Sequence, residues 1–337
     1  MNYVLAVLGF GLLIIVHELG HFIMAKINKV KVVEFSIGMG PKIYTYEGKE
    51  TKYSIGILPI GGYVQLLDGE ENIDDPGCML NKSHIRRISI MIAGGVMNFI
   101  LAIVLFCTCF VNLGYSDKSI AEVMPDSAAI EAGIQSGDDI ISINNSKVNT
   151  YDDVILATML AKDSTMKIEY KRDGVITSTD VTPKFSEEDN RYLIGVTFNY
   201  IENPGIADSV VHSLYETKSL VVETFKSIQM LISGKGNFKT DVGGPVSIVK
   251  ISATAAKAGV WNLLYLVAFL SISLAVFNLL PFPGLDGGWT LILLIEMITR
   301  RKVPEKVVMG ITTAGFILLM LLMLVVTIKD ILFPINI

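Results

Sequence analysis

Charge is scarce in this 337-residue chain: Asp, Glu, Lys and Arg make up 18% of it, against about 25% in soluble domains. With 51% hydrophobic residues and a mean hydropathy of +0.52, that shortage excludes an ordinary water-soluble enzyme from end to end. Cysteine is scarce too. Cys107 and Cys109 share one apolar run and Cys78 lies in a loop, which leaves neither a disulfide framework nor a CxxC metal site. Basic residues are outnumbered, 28 against 33, for a net charge of −5, so a nucleic-acid partner is not expected. The first apolar run has no basic leader and no small-residue cleavage site, so it does not read as a signal peptide.

What is present is long hydrophobic runs. Segments 1–27, 88–114, 260–281 and 307–328 each exceed the ~20 apolar residues that cross a ~30 Å hydrocarbon core. Only Glu18 and Lys26 are charged among them. The remaining residues carry the charge density of a soluble protein. Four membrane spans with water-facing connections follow. The short connections are basic: Lys29, Lys31, Lys42, Lys49, Lys52, Lys82, Arg86 and Arg87 in 28–87, and Arg300, Arg301 and Lys302 between spans three and four. Basic short loops stay in the cytoplasm. The expectation is therefore 28–87 inside, 115–259 outside, and both termini extracytoplasmic.

Residues 31–66 alternate as strands do, punctuated by glycines and Pro41. Periodicity alone suits equally a β-hairpin dipping into the membrane surface and a small cytosolic sheet. Residues 117–185 read as a small α+β domain with 12 acidic and 7 basic residues, either a spacer or a peptide-binding or steric module. Residues 205–233 carry an amphipathic helical pattern that Gly234-Lys235-Gly236 ends; with Glu and Lys recurring, this suits a helix lying on the membrane. The expected organisation is 1–114, 115–186, 187–259 as amphipathic surface helices, and 260–337.

The chemistry is concentrated in His17-Glu18-Leu19-Gly20-His21. On a helix, positions i and i+4 share a face, so two imidazoles can converge on one Zn²⁺ with a glutamate beside them as general base. Ionisable residues inside a span are expensive and mark function. A catalytic zinc takes three protein ligands and an open position. His17 lies roughly 21 Å into the first span and Asn278 roughly 24 Å into the third, at 1.5 Å per residue. There Asn278-Leu-Leu-Pro281-Phe-Pro283-Gly284-Leu-Asp286-Gly287-Gly288 breaks the helix, and broken backbone at that depth lines a cavity. Asp286 is the candidate third ligand, its alternative being a cap for the helix that follows. Asn98, in the second span at similar depth, suits packing or catalysis. His84 and His212 fall in polar segments and read as solvated.

Taken together, these motifs resemble the site-2 protease family of intramembrane zinc metalloproteases, in its bacterial regulator-of-sigma-E protease branch. The resemblance rests on the intramembrane HExxH, Gly61-Gly62-Tyr63, the Asn98 motif, Gly244-Pro245 and Asn-x-x-Pro-x-Pro-x-x-Asp-Gly-Gly. It implies a multi-pass α-helical membrane protein with a membrane-associated β-sheet and one extracytoplasmic PDZ-like α+β domain. His17, His21 and Asp286 would hold one Zn²⁺ per chain and Glu18 would be the catalytic base. Asn278, Gly61, Gly62 and Tyr63 would contact substrate, with Asn98, Pro281 and Pro283 shaping the site. The resemblance favours the membrane-reentrant reading of 31–66. It also implies an endopeptidase of the bacterial cell membrane, active towards the cytoplasmic half. Its partners would be single-pass membrane substrates, first trimmed by an upstream site-1-type protease, and the lipid bilayer. Substrates of this kind include anti-sigma factors and remnant signal peptides. Gly95 stands where the family usually has Pro and Trp289 where His is common. Competing readings are a zinc transporter, which leaves Glu18 unexplained, and an idle scaffold, which leaves the intact ligand set unexplained.

Overall fold

The computed structural model describes residues 2–187, 189, 191–234 and 242–334. In chain order the elements are α1 (Asn2–Ile27), β1 (Val32–Glu47), β2 (Lys52–Leu66), α2 (His84–Leu113), β3 (Tyr115–Val123), α3 (Ala128–Glu131), β4 (Asp139–Ile143), β5 (Ser146–Lys147) and α4 (Tyr151–Ala161). There follow β6 (Met166–Arg172), β7 (Val175–Val181), β8 (Lys184–Ser186), β9 (Arg191–Leu193), β10 (Val196–Ile201), α5 (Ile206–Ile232), α6 (Pro245–Ala258), α7 (Val260–Leu279), α8 (Asp286–Thr299) and α9 (Glu305–Leu332). The chain divides into two compact units, Met1–Leu105 with Ser227–Ile337 and Phe106–Lys226.

Among the described residues, four helices are long and apolar enough to cross a membrane: Val4–Ile27, His84–Leu113, Val260–Leu279 and Glu305–Leu332. The second begins at His84 rather than residue 88, carrying Arg86 and Arg87 in its first turn. The third stops at Leu279, because Leu280 precedes a proline and is driven to extended backbone (φ −61°, ψ 142°). On α9, Phe316, Leu318, Leu321 and Leu324 are all exposed. Such a face would promote aggregation in water and is at home in hydrocarbon. The helices pack through Leu13 of α1 against Leu263 and Val267 of α7, and through a second cluster of Ala25, Val30, Val32, Met79 and Ile90.

β1 and β2 are long, bent strands that pair twice. Residues 32–37 of β1 pair with 62–66 on one side and with 52–55 on the other, while 42–47 pairs with 52–56. The result is a four-row sheet in the order 62–66, 32–37, 52–56, 42–47, with both outer rows antiparallel to their neighbours and the two central rows running side by side in the same direction. Gly38 and Gly40 take φ of +82° and +83° at the bend in β1, a region that glycine enters without the usual steric cost. The outer edge of row 62–66 has no strand partner among the described residues.

The second unit holds a sheet in the order β10-β3-β4-β6-β7, with β5 on β4. Its core comprises Ile120, Ile134, Ile140, Val154, Met166 and Ile168, among others. Ser127 caps α3, and Thr150 and Asp153 form a capping box on α4. Buried Asp138 takes two 2.7 Å hydrogen bonds from Arg172. The sheet does not stop at residue 186. β10 pairs antiparallel with β3, so the α+β domain expected over 115–186 reaches Ile201, and 187–259 opens on strands rather than helices. The signal was weak because β9 and β10 are short and separated by a glycine.

α5 is amphipathic in an inverted sense within this unit. Its buried residues are Ser209, His212, Ser213, Glu216, Thr217, Ser219 and Leu220, whereas Val211, Leu214, Val222 and Phe225 are exposed. His212 is therefore not solvated as its polar surroundings suggested. Its ring stacks on Tyr115 at 3.7 Å and meets Phe110 edge-on at 4.8 Å, and burial pushes its pKa down to about 4. His84 is half-buried, with Nε2 3.6 Å from the Glu296 carboxylate. The break after α5 begins at Gly234; Lys235 and Gly236 lie outside the described residues.

Candidate active site

α1 presents His17 and His21 one turn apart, both buried. Their Nε2 atoms are 3.2 Å apart and their rings meet edge-on at 82°. Asp286 Oδ2 stands 3.1 Å from His17 Nε2 and 3.3 Å from His21 Nε2. Neighbouring donors around a tetrahedral ion with bonds near 2.0 Å sit about 3.3 Å apart, so the three side chains are spaced as ligands of one zinc. Asp286 Oδ2 is also buried without a hydrogen-bond partner, a costly condition for a carboxylate oxygen that a cation relieves. The donor set, two imidazole nitrogens and one carboxylate oxygen, is one that zinc accepts. The site thus fits the metal that its chemistry implies.

Asp286 reaches this position because the chain breaks after α7. It is the first residue of α8, whose N-cap is Leu285, so it faces the histidines instead of capping the helix. The break folds tightly onto α8. A Cβ on Gly287 would lie 2.2 Å from Leu280 O, and one on Gly288 2.2 Å from Phe282 O. Pro283 O in turn presses on Gly315 of α9, where a Cβ would lie 2.1 Å away. Pro281 and Pro283 thus shape the turn that carries Asp286. Asn278, on the last turn of α7, places Nδ2 3.4 Å from His17 Nε2.

α2 forms the other wall. His21 Nδ1 lies 2.8 Å from Ile90 O, which fixes that ring as an Nδ1–H donor and leaves Nε2 free. A Cβ on Gly20 would stand 2.4 Å from Ala93 O, and one on Gly94 2.4 Å from His21 Nε2. The two helices therefore meet through glycine at the height of the ligands. Asn98, fully buried, places Nδ2 3.4 Å from His17 Nδ1.

Glu18 points to the sheet. A Cβ on Gly62 would be 3.4 Å from Glu18 Cγ, and Val64 backbone also faces the carboxylate. Row 62–66, whose outer edge has no strand partner among the described residues, thus runs beside the candidate base. Gly61 takes φ +90° and packs on Met39. Tyr63 lies under the Lys42 ammonium, 4.5 Å from its ring centre, and of the three residues it is Gly62 that borders Glu18.

Residues 5–322 match the profile of peptidase family M50. The chain belongs to peptidase family M50. Among its relatives, a Clostridium acetobutylicum protein named as a zinc metalloprotease is 46% identical over 99% of this chain and 98% of its own length. A Clostridium perfringens protein of the same description is 44% identical over 99% of this chain and all of its own. The regulator of sigma-W protease RasP of Bacillus subtilis is 28% identical over 98% of each chain. A solved PDZ domain from Listeria monocytogenes, 22% identical, covers 26% of this chain and 93% of its own, with a TM-score of 0.23. This M50 member is a zinc metalloprotease of the membrane.

The candidate site brings together His17, Glu18, His21, Asn98, Asn278, Gly62 and Asp286, which are scattered over 270 residues of sequence. Sequence reasoning missed Gly94 and the Ile90 carbonyl. The Gly94-Gly95 pair was visible as a close-packing signal, but nothing in it pointed to the histidine rings. A backbone carbonyl leaves no sequence signal.

Proposed function

We propose that His17, His21 and Asp286 bind the catalytic zinc and that Glu18 is the general base of an intramembrane endopeptidase. The convergence of His17 Nε2, His21 Nε2 and Asp286 Oδ2 within 3.1–3.3 Å carries this reading. Zinc held there supplies Lewis acidity and lowers the pKa of a bound water to about 7. Glu18, next to His17 and open towards row 62–66, would act as general base on the attacking water and would return that proton to the leaving amine. Row 62–66 binds the substrate backbone as an added strand, with Gly61 and Gly62 leaving room and Tyr63 completing the row. A transmembrane helix hides its carbonyls, so extension against this edge exposes the bond to be cut. Asn278, 3.4 Å from His17, orients the extended segment over the base.

The substrates are single-pass membrane proteins shortened outside the membrane by an earlier cut. The PDZ-like domain acts as an extracytoplasmic size filter, and both termini lie on that side. The exposed apolar face of α5 rests in the lipid interface. The active site opens towards the cytoplasmic half. The B. subtilis relative is named for regulation of sigma-W, which favours anti-sigma factors as a substrate class; remnant signal peptides have the same single-span form. Glu18→Gln tests the assignment. The variant should keep its zinc and stop cleaving a membrane-anchored reporter, and undiminished cleavage refutes the mechanism.

A further inference from the structure

His21 has its tautomer fixed by Ile90 O, whereas His17 has no backbone carbonyl in that position among the described contacts. What faces His17 Nδ1 is the side-chain amide of Asn98, at 3.4 Å. Asn98 is completely buried, and its Oδ1 has no hydrogen-bond partner. A buried acceptor left without a donor is costly. The rest of Asn98 is held firmly: its backbone carbonyl accepts the Ser271 hydroxyl of α7 at 2.8 Å, one turn along α2 from the Gly94 contact.

The chemistry of His17 decides which end of the amide belongs against it. If Nε2 gives its lone pair to a metal, the ring proton must sit on Nδ1, and an N–H there needs an acceptor. A half-turn about the amide exchanges Oδ1 and Nδ2, which have nearly the same shape. It replaces a donor facing a donor with an Nδ1–H···Oδ1 bond and gives the orphaned oxygen a partner. We propose that Asn98 is a positioning residue for His17: its side-chain oxygen accepts from His17 Nδ1–H, fixing the tautomer and ring angle that present Nε2 to the zinc. The two histidines are then matched, each oriented by an acceptor on α2, Ile90 O for His21 and Asn98 Oδ1 for His17. This rests on the ligand assignment proposed above.

The test compares two near-isosteric variants of the full-length protein in detergent. Asn98→Leu removes the acceptor, and Asn98→Asp keeps an acceptor and removes the donor. Outer partners of metal-bound histidines typically control affinity by 10–100-fold. Competition with a zinc chelator should show Asn98→Leu holding zinc at least about tenfold more weakly, with Asn98→Asp within a few-fold of wild type. In ¹⁵N-histidine spectra of the zinc-loaded protein, His17 should carry its proton on Nδ1 in wild type and Asn98→Asp. Wild-type zinc retention in Asn98→Leu, or equal loss in both variants with His17 protonated on Nε2, overturns the proposal. Wild-type zinc retention in His17→Ala would instead overturn the ligand assignment beneath it.

Discussion

Gly94 of α2 lies directly against the two histidines of α1. A Cβ at Gly94 would stand 2.4 Å from His21 Nε2 and 2.6 Å from His17 Cε1. The proposed metal site is therefore built on the absence of a side chain in a neighbouring helix as much as on His17, His21 and Asp286 themselves. Gly94→Ala should cut zinc affinity by about tenfold or more, since overpacking costs about 1–3 kcal/mol and the rings that must move are the ligands. Gly310→Ala, on α9 with nothing near its Cβ, is the matched control and should hold zinc as wild type does. Metal analysis of the two purified variants checks this.

Gly62 borders Glu18, and a Cβ there would also meet Ser36 O at 2.9 Å. Gly62→Ala shifts row 62–66 from its neighbour without touching a ligand. Displacements on the scale of an ångström can cost up to about 100-fold in rate. We expect cleavage of a membrane-anchored reporter to fall at least about tenfold with bound zinc unchanged. Loss of both would place Gly62 in the metal site instead.

Asp330, near the end of α9, holds the start of α6. It accepts from the backbone N–H of Gly244 at 3.1 Å and of Ser247 at 2.8 Å, while Lys329 Nζ donates to Val242 O at 2.7 Å. This explains why Gly244 precedes Pro245: a Cβ on Gly244 would lie 2.8 Å from the Asp330 carboxylate. Asp330→Ala leaves two buried donors unpaired, at about 1–3 kcal/mol each. Thermal unfolding in detergent should move down by several degrees while Glu18-dependent cleavage at low temperature persists.

His212 gives the protein a dependence on acid. Its folded pKa of about 4 lies below the model-peptide value of 6.5, so the folded state binds the proton less well than the unfolded one. Stability is complete above pH 6.5 and falls as pH drops from there towards 4. His212→Phe keeps a ring against Tyr115 and removes the charge. Its melting temperature should vary less than that of wild type between pH 6.5 and 4.5, and parallel curves would remove His212 as the cause.

Much of the site was legible because its chemistry is local in sequence. HExxH places the two proposed ligands and the proposed base through helical spacing alone, and the proline- and glycine-rich break announces itself by violating the apolar run. His212 was misread because a polar neighbourhood in sequence says nothing about which face of α5 is covered. The sheet of the α+β domain runs past residue 186 because β10 belongs to it only by pairing with β3, some 80 residues away.

The four apolar spans, the HExxH pair and the position of the helix break are written in the residues alone, since each follows from composition or a period of a few residues. The tertiary structure alone decided that Asp286 turns to the histidines rather than capping α8. It also decided that Gly94 clears space for their rings, that row 62–66 is the unpaired edge beside Glu18, and that Asn98 faces His17. These are contacts between segments up to 270 residues apart. They depend on how helices and strands pack against one another, and no local pattern of residues encodes the meeting of two distant backbones.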